Sequence, residues 1–121
     1  MTTKPFILTA QEGLKLKYGL MKVLQRGQNS AIRGKDLAHT FGYPDDRRIR
    51  LAIRELISEG TPIASSVSEP MGFYIVANEF EAGRYIKGLK DRIKEDENRL
   101  RDFENACSDM SIPEQPSLFG E

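Results

Sequence analysis

Cysteine and histidine are nearly missing from this chain. Its 121 residues include one of each, Cys107 and His39. A single cysteine excludes an internal disulfide, so a cytoplasmic location is the expectation. One cysteine and one histidine do not make a metal site of ordinary ligand number, and no metal is expected. No apolar run approaches the ~20 residues of a membrane span, so no membrane partner is expected. The stretch Met1 to Leu8 has one positive charge and very little apolar length, unlike a secretory signal. Paired acids, a nucleophile beside a histidine and a phosphate-cradling glycine loop are also missing. Neither catalysis nor a cofactor is expected, and no catalytic residue is nominated.

A surplus of charge of one sign is missing too. Lys plus Arg and Asp plus Glu number 18 each, which disfavours an indiscriminate polyanion binder. The distribution is uneven. Between Gln25 and Arg54 seven basic residues (Arg26, Arg33, Lys35, Arg47, Arg48, Arg50, Arg54) face three acids (Asp36, Asp45, Asp46). Most of the acids follow residue 54. The first half is therefore the candidate surface for a polyanion.

What is present is a clear succession of periods. Residues 1–11 carry Pro5 and no period, and are expected to be a flexible lead-in. From about Gln11 to Arg26 apolar residues recur at helical spacing, with Leu14, Tyr18 and Met21 as the expected inward stripe. Gly27 ends this helix. Ala31-Ile32-Arg33 reads as a short extended piece. Lys35 to Phe41 reads as a second helix with Leu37, Ala38 and Phe41 facing in, and Gly42 as the turn. Pro44 then opens a third helix, Asp45 to Glu59, with Asp45 and Asp46 in the first turn where the dipole favours negative charge. Its inner face is Ile49, Ala52, Ile53 and Leu56, and Gly60 stops it. Pro62 to Ser66 and Gly72 to Ala77 read as a hairpin around the polar turn Val67 to Met71. Tyr43, Phe73 and Tyr74 are expected to pack in the core or turns, and His39 to lie on the surface. The expected fold class is mainly α with a small β-hairpin wing (α+β). A winged helix-turn-helix at 12–78 is followed by a long helix at 79–108 and a disordered tail at 109–121.

In a helix-turn-helix the second helix crosses the nucleic-acid backbone and the third lies in the major groove. Arg47, Arg48, Arg50 and Arg54 stand outside the inner stripe of the third helix, and Arg47, Arg50 and Arg54 share one face. Arginine suits that face because its fork grips guanine O6 and N7, or a phosphate, with two hydrogen bonds. Arg33 and Lys35 at the second helix are expected to hold phosphates. Ser65, Ser66 and Ser68 on the hairpin are expected to reach the adjacent backbone or minor groove. The segment from Leu37-Ala38 through Phe41-Gly42 and Asp46-Arg47-Arg48-Ile49-Arg50 to Leu56 resembles the "LA…FG…(S/D)xRxVRxxIxxL" pattern. That pattern marks bacterial and phage winged-helix domains of the deoxyribose-operon-repressor type. Gly60-Thr61-Pro62-Ile63-Ala64-Ser65-Ser66 and Gly72-Phe73-Tyr74-Ile75 are similar to their "GxPIxS…GYxL" wing. The resemblance covers roughly residues 12–78 and implies a winged-helix fold that binds double-stranded DNA. It departs from the family after residue 78, where no effector domain is expected, so it does not extend to ligand-controlled repression.

Asn78, with Glu81 three residues on, reads as a capping box that opens the long helix. Ile86, Leu89, Ile93, Leu100, Phe103 and Cys107 then fall at spacings of three and four, with Asp96 in the one gap. That is a heptad seam over three heptads. At 1.5 Å per residue the helix spans about 45 Å, longer than the face of a small winged domain. Its length favours a coiled-coil homodimer over packing on the chain's own first helix. In the tail, Gln115-Pro116-Ser117-Leu118-Phe119 resembles the bacterial sliding-clamp-binding peptide, "QLSLF" or "QxxLF", with Pro116 where leucine is commonest. The resemblance implies that Gln115, Ser117, Leu118 and Phe119 dock on a sliding clamp. The combined expectation is a non-enzymatic DNA-binding accessory factor of bacterial or phage replication or repair. Two alternatives stand beside it: a dimeric winged-helix transcription regulator without an effector domain, and a winged-helix protein-protein adaptor.

Overall fold

A computed structural model describes residues 9–110. The clamp-like peptide with Gln115, Ser117, Leu118 and Phe119 lies outside the described residues, as does most of the expected lead-in. Among the described residues the chain is mainly helical, with one two-stranded antiparallel sheet and a long helix at the end. It divides into two compact units, Met1–Tyr85 and Ile86–Glu121. No helix among the described residues is long and apolar enough to cross a membrane.

The first helix, α1 (Ala10–Val23), is opened by a capping box. Glu12 N–H donates to Thr9 Oγ1 at 3.1 Å, and Thr9 N–H donates back to the Glu12 carboxylate at 3.3 Å. The buried face is Leu16 and Leu20, continued by Leu24 just past the helix end. This corrects the expected stripe: Leu14 and Tyr18 are each 67% exposed and Met21 43%. The helix carries two apolar series offset by two residues, Leu14-Tyr18-Met21 and Leu16-Leu20, and the neighbouring elements select between them. Gly19 sits on the selected face, and a Cβ there would run into the Phe41 ring at 2.6 Å. The helix also stops at Val23 rather than Arg26. Gln25 and Gly27 give their backbone groups to Ile75 instead, through Ile75 N–H to Gln25 O and Gly27 N–H to Ile75 O.

The short α2 (Gly34–Phe41) buries Leu37 and Ala38 and ends at Gly42 in the left-handed conformation, φ 80°. Next comes α3 (Arg47–Ser58), which buries Ile49, Ala52, Ile53 and Leu56 as expected. Its start is later than expected. Pro44, Asp45 and Asp46 form a bend, and the two aspartates precede the helix rather than occupying its first turn. Asp45 Oδ1 still accepts the N–H of Arg47 at 3.1 Å, which satisfies one of the open donors at that end.

Strands β1 (Ile63–Ser66) and β2 (Gly72–Ile75) pair antiparallel, with Ile63 opposite Ile75 and Ser66 opposite Gly72. The outer edge of β2 is also occupied: Arg26 bridges to Ile75 and Ile32 to Phe73. One core joins these elements, built from leucines of α1 and α2, the inner face of α3, and Ile63. The half-buried Phe41, Tyr43, Phe73 and Ile75 pack against it.

The final helix, α4 (Glu79–Asp109), has no buried residue. Asn78 Oδ1 caps it by accepting Glu81 N–H at 2.9 Å. The reciprocal half of the expected capping box is redirected. The Glu81 carboxylate accepts the N–H of Ala77 and the N–H of Gln28, both at 2.9 Å, instead of that of Asn78.

Candidate nucleic-acid interface

The arginines of α3 are not a bare basic row. Asp45 takes Arg47 through Nε at 3.3 Å and Nη2 at 3.0 Å. Those side-chain hydrogen bonds, and then the backbone one, hold the Asp45 carboxyl below its ordinary range, and the side-chain hydrogen bonds push the Arg47 guanidinium up. Arg50 Nε donates to Asp46 Oδ2 at 2.9 Å, and its guanidinium lies 5.3 Å from the centre of the Phe73 ring. The Arg48 guanidinium lies 5.5 Å from the Tyr43 ring centre, and Arg48 is half-buried rather than fully outside. Arg54 is exposed, and no ion pair joins it among the described residues. Exposed pairs of this kind are weak in water, so they orient the guanidinium groups without locking them away from a stronger acceptor.

A cleft of about 410 Å³ opens between the start of α2, the start of α3 and the hairpin. Arg33, Lys35, Arg50, Ser65 and Ser66 all line it, together with Asp46 and Phe73. Arg47, Arg48, Arg54 and Ser68 do not line it. Arg33 reaches across to the wing, with Nη2 3.9 Å from Glu69 Oε2. Asp46 fits at this corner because Gly34 has no side chain: a Cβ there would stand 2.8 Å from Asp46 Oδ2.

The wing serines already have partners within the fold. Ser65 Oγ is 3.3 Å from Tyr85 Oη. Ser66 Oγ accepts from Gln28 Nε2 at 3.0 Å and donates to the Ser68 carbonyl at 2.8 Å. The Gln28 amide also reaches the carbonyls of Ser68 and Pro70 at 3.4 and 3.3 Å, so one side chain fixes the wing loop. Gln28 escapes a sequence reading because nothing in its local pattern marks it. Asp45 and Asp46 could have been found as arginine partners, since Asp46 and Arg50 stand four apart at the helix start.

A second concave region of about 730 Å³ runs along the outer face of α1, where Leu14, Tyr18 and Met21 meet Lys17, Leu56 and Glu59. Lys17 Nζ bridges to α3 through Glu59 at 2.7 Å and Glu55 at 3.2 Å. These hydrogen bonds, Glu59 first, hold the Lys17 amine above its ordinary value.

Among the described residues no group of three or more His, Cys, Asp or Glu side chains is placed to hold a metal ion. The chain matches no protein-family model, no curated protein and no solved structure.

Proposed function

We propose that this chain is a winged-helix protein that binds double-stranded DNA without acting on it chemically, with α3 in the major groove and the hairpin beside it. The observation that carries this reading is the gathering of Arg33, Lys35, Arg50, Ser65 and Ser66 around one cleft at the start of α3. In a helix-turn-helix the N-terminal residues of the third helix contact base edges. Arg47 and Arg50 stand in that first turn. Asp46 engages Nε of Arg50 and Phe73 supports the guanidinium plane, which leaves the two terminal nitrogens to present a fork to guanine or phosphate. The adjacent aspartates offset much of the basic charge. Recognition then depends on direct contacts more than on long-range attraction, in keeping with a net charge of zero.

Arg50→Ala is expected to weaken binding to a selected duplex by about 1–3 kcal/mol in a fluorescence anisotropy titration. An unchanged affinity removes Arg50 from the contact surface and the cleft from the argument.

In the same reading α4 joins two copies of the chain, and the peptide from Gln115 to Phe119 tethers the protein to a sliding clamp at sites of replication or repair. Support for the tether is the motif itself: a glutamine and an apolar Leu-Phe pair suit a shallow protein pocket. Leu118→Ala combined with Phe119→Ala is expected to abolish recovery of the purified chain on immobilised bacterial clamp. Equal recovery discards the tether and leaves a dimeric regulator as the better account. The adaptor alternative draws its support from the exposed Leu14, Tyr18 and Met21 of α1. Under it, reversing Arg47 and Arg50 to Glu leaves partner capture intact.

A further inference from the structure

The seam of α4 is an apolar row in search of a cover. Ile86, Leu89, Ile93, Leu100 and Phe103 are 37–64% exposed. We infer that a second copy's α4 covers it, and that the two helices run parallel and in register. The inference deepens the association proposed above and rests on it.

The residues flanking the seam set the orientation. Ile86, Ile93, Leu100 and Cys107 take the first core position of each heptad, and Leu89, Asp96 and Phe103 the second. Arg92 and Arg99 then fall on one flank, and Lys90, Glu97 and Glu104 on the other. In a parallel pair each flank residue faces the opposite flank of the second copy, five residues further on. Arg92 therefore meets Glu97 of the second copy, and Arg99 meets Glu104 of the second copy, each contact occurring twice by symmetry. An antiparallel pair sets like flank against like flank. Arg92 would then approach Arg99 of the second copy, and Glu97 would face another Glu97, leaving Lys90 with Glu104 as the one attractive combination. Opposite charges at these positions set helix orientation.

Asp96 bears on register more than on orientation, because two like carboxylates in one layer also repel each other. Parallel, in-register pairing gathers both Asp96 carboxylates into one polar layer. Arg99 stands 3.8 Å from each Asp96 on its own helix, Nη2 to Oδ1, and offsets part of the charge. An antiparallel pair, or a slip by one heptad, puts each Asp96 against an apolar residue in two separate layers. A single polar layer of this kind selects register at a cost in stability.

Sedimentation equilibrium of the full chain, with thiols kept reduced, is expected to show a dimer. Arg92→Glu is expected to weaken it about threefold or more, and adding Glu97→Arg is expected to restore it. The cysteine reads orientation. In the parallel pair both Cys107 residues occupy one layer. A diazene oxidant, which takes up the two thiol hydrogens, is then expected to join them as a disulfide-linked dimer that Cys107→Ser cannot form. In an antiparallel pair the two cysteines lie roughly 20 Å or more apart at 1.5 Å per residue. A dimer that the oxidant leaves unlinked and that Arg92→Glu tightens overturns the orientation. A chain that stays monomeric at about 100 μM, weaker than a Kd that a specific coiled coil of this length would show, overturns the association itself. Neither result touches DNA binding, which the Arg50 variant tests independently.

Discussion

Gly72 shows how much of this fold rests on single positions. Its φ is 130°, and a Cβ there would run into the carbonyl group of Ile32 and the backbone nitrogen of Arg33. Both obstacles are backbone, so neither can move aside the way a flexible side chain does. Gly72→Ala is expected to cost about 2–3 kcal/mol through strain and overpacking and to lower Tm by roughly 10 °C or more in a thermal melt. A Tm within 2 °C of wild type, on the order of a few tenths of a kcal/mol, would show that the hairpin does not depend on this close approach. Arg50 teaches a complementary lesson. Its outward position follows from the spacing of Ile49, Ala52 and Ile53, and was legible in the sequence. That its charge is shared with Asp46 and its plane supported by Phe73 was not, because Phe73 comes 23 residues later and reaches Arg50 only through the fold.

The inner face of α3 and the hairpin were legible because one periodicity dominates in each, whereas the start of α3 was not, since Pro44, Asp45 and Asp46 bend before the helix begins. Helix α1 carries two apolar series, and no local rule decides between them. The decision comes from Phe41 seated over Gly19 and from the α3 face that Leu16 and Leu20 meet. Leu20→Ala is expected to cost about 2–5 kcal/mol by opening a cavity in the core. Leu14→Ala, on the exposed series, is expected to change stability by less than about 0.5 kcal/mol. Urea denaturation of both variants checks the assignment, and comparable losses would reverse it. The start of α4 has a pH signature. Hydrogen bonds from Ala77 N–H and then Gln28 N–H hold the Glu81 carboxyl below its ordinary value of 4.5. The folded value is thus lower than the unfolded one. The stabilisation is complete above the unfolded value and is lost as pH falls through the folded value. Glu81→Gln is expected to melt lower than wild type at neutral pH and to lose less stability on acidification below about pH 4.5. Melting curves that remain parallel for the two proteins from about pH 7 to 3 would dissociate Glu81 from acid sensitivity.

The two compact units differ in what holds them. The first has one core drawn from helices and hairpin together. The described part of the second is a charged helix whose apolar row is exposed, and its heptad spacing was plain from the sequence alone. The cross-connections of the first unit were the illegible part. Gln28 ties the wing loop with its amide and the start of α4 with its backbone N–H, over separations of about forty and fifty residues. Such contacts have no local signature. They turn a generic helix-turn-helix pattern into one that presents a wing at a fixed place.

The segment before α2 has a bearing on colloidal behaviour. By pairing with Phe73 and Ile75, the backbone of Gln25, Gly27 and Ile32 uses the hydrogen-bonding groups along the far edge of β2. The opposite edge belongs to β1, which is four residues long, and the Ile63 N–H there is already given to Thr61 O at 2.9 Å. A sheet capped in this way gives a stray strand almost no template for edge-to-edge addition. High concentration is therefore expected to draw these molecules together through their side chains and not through ribbon growth.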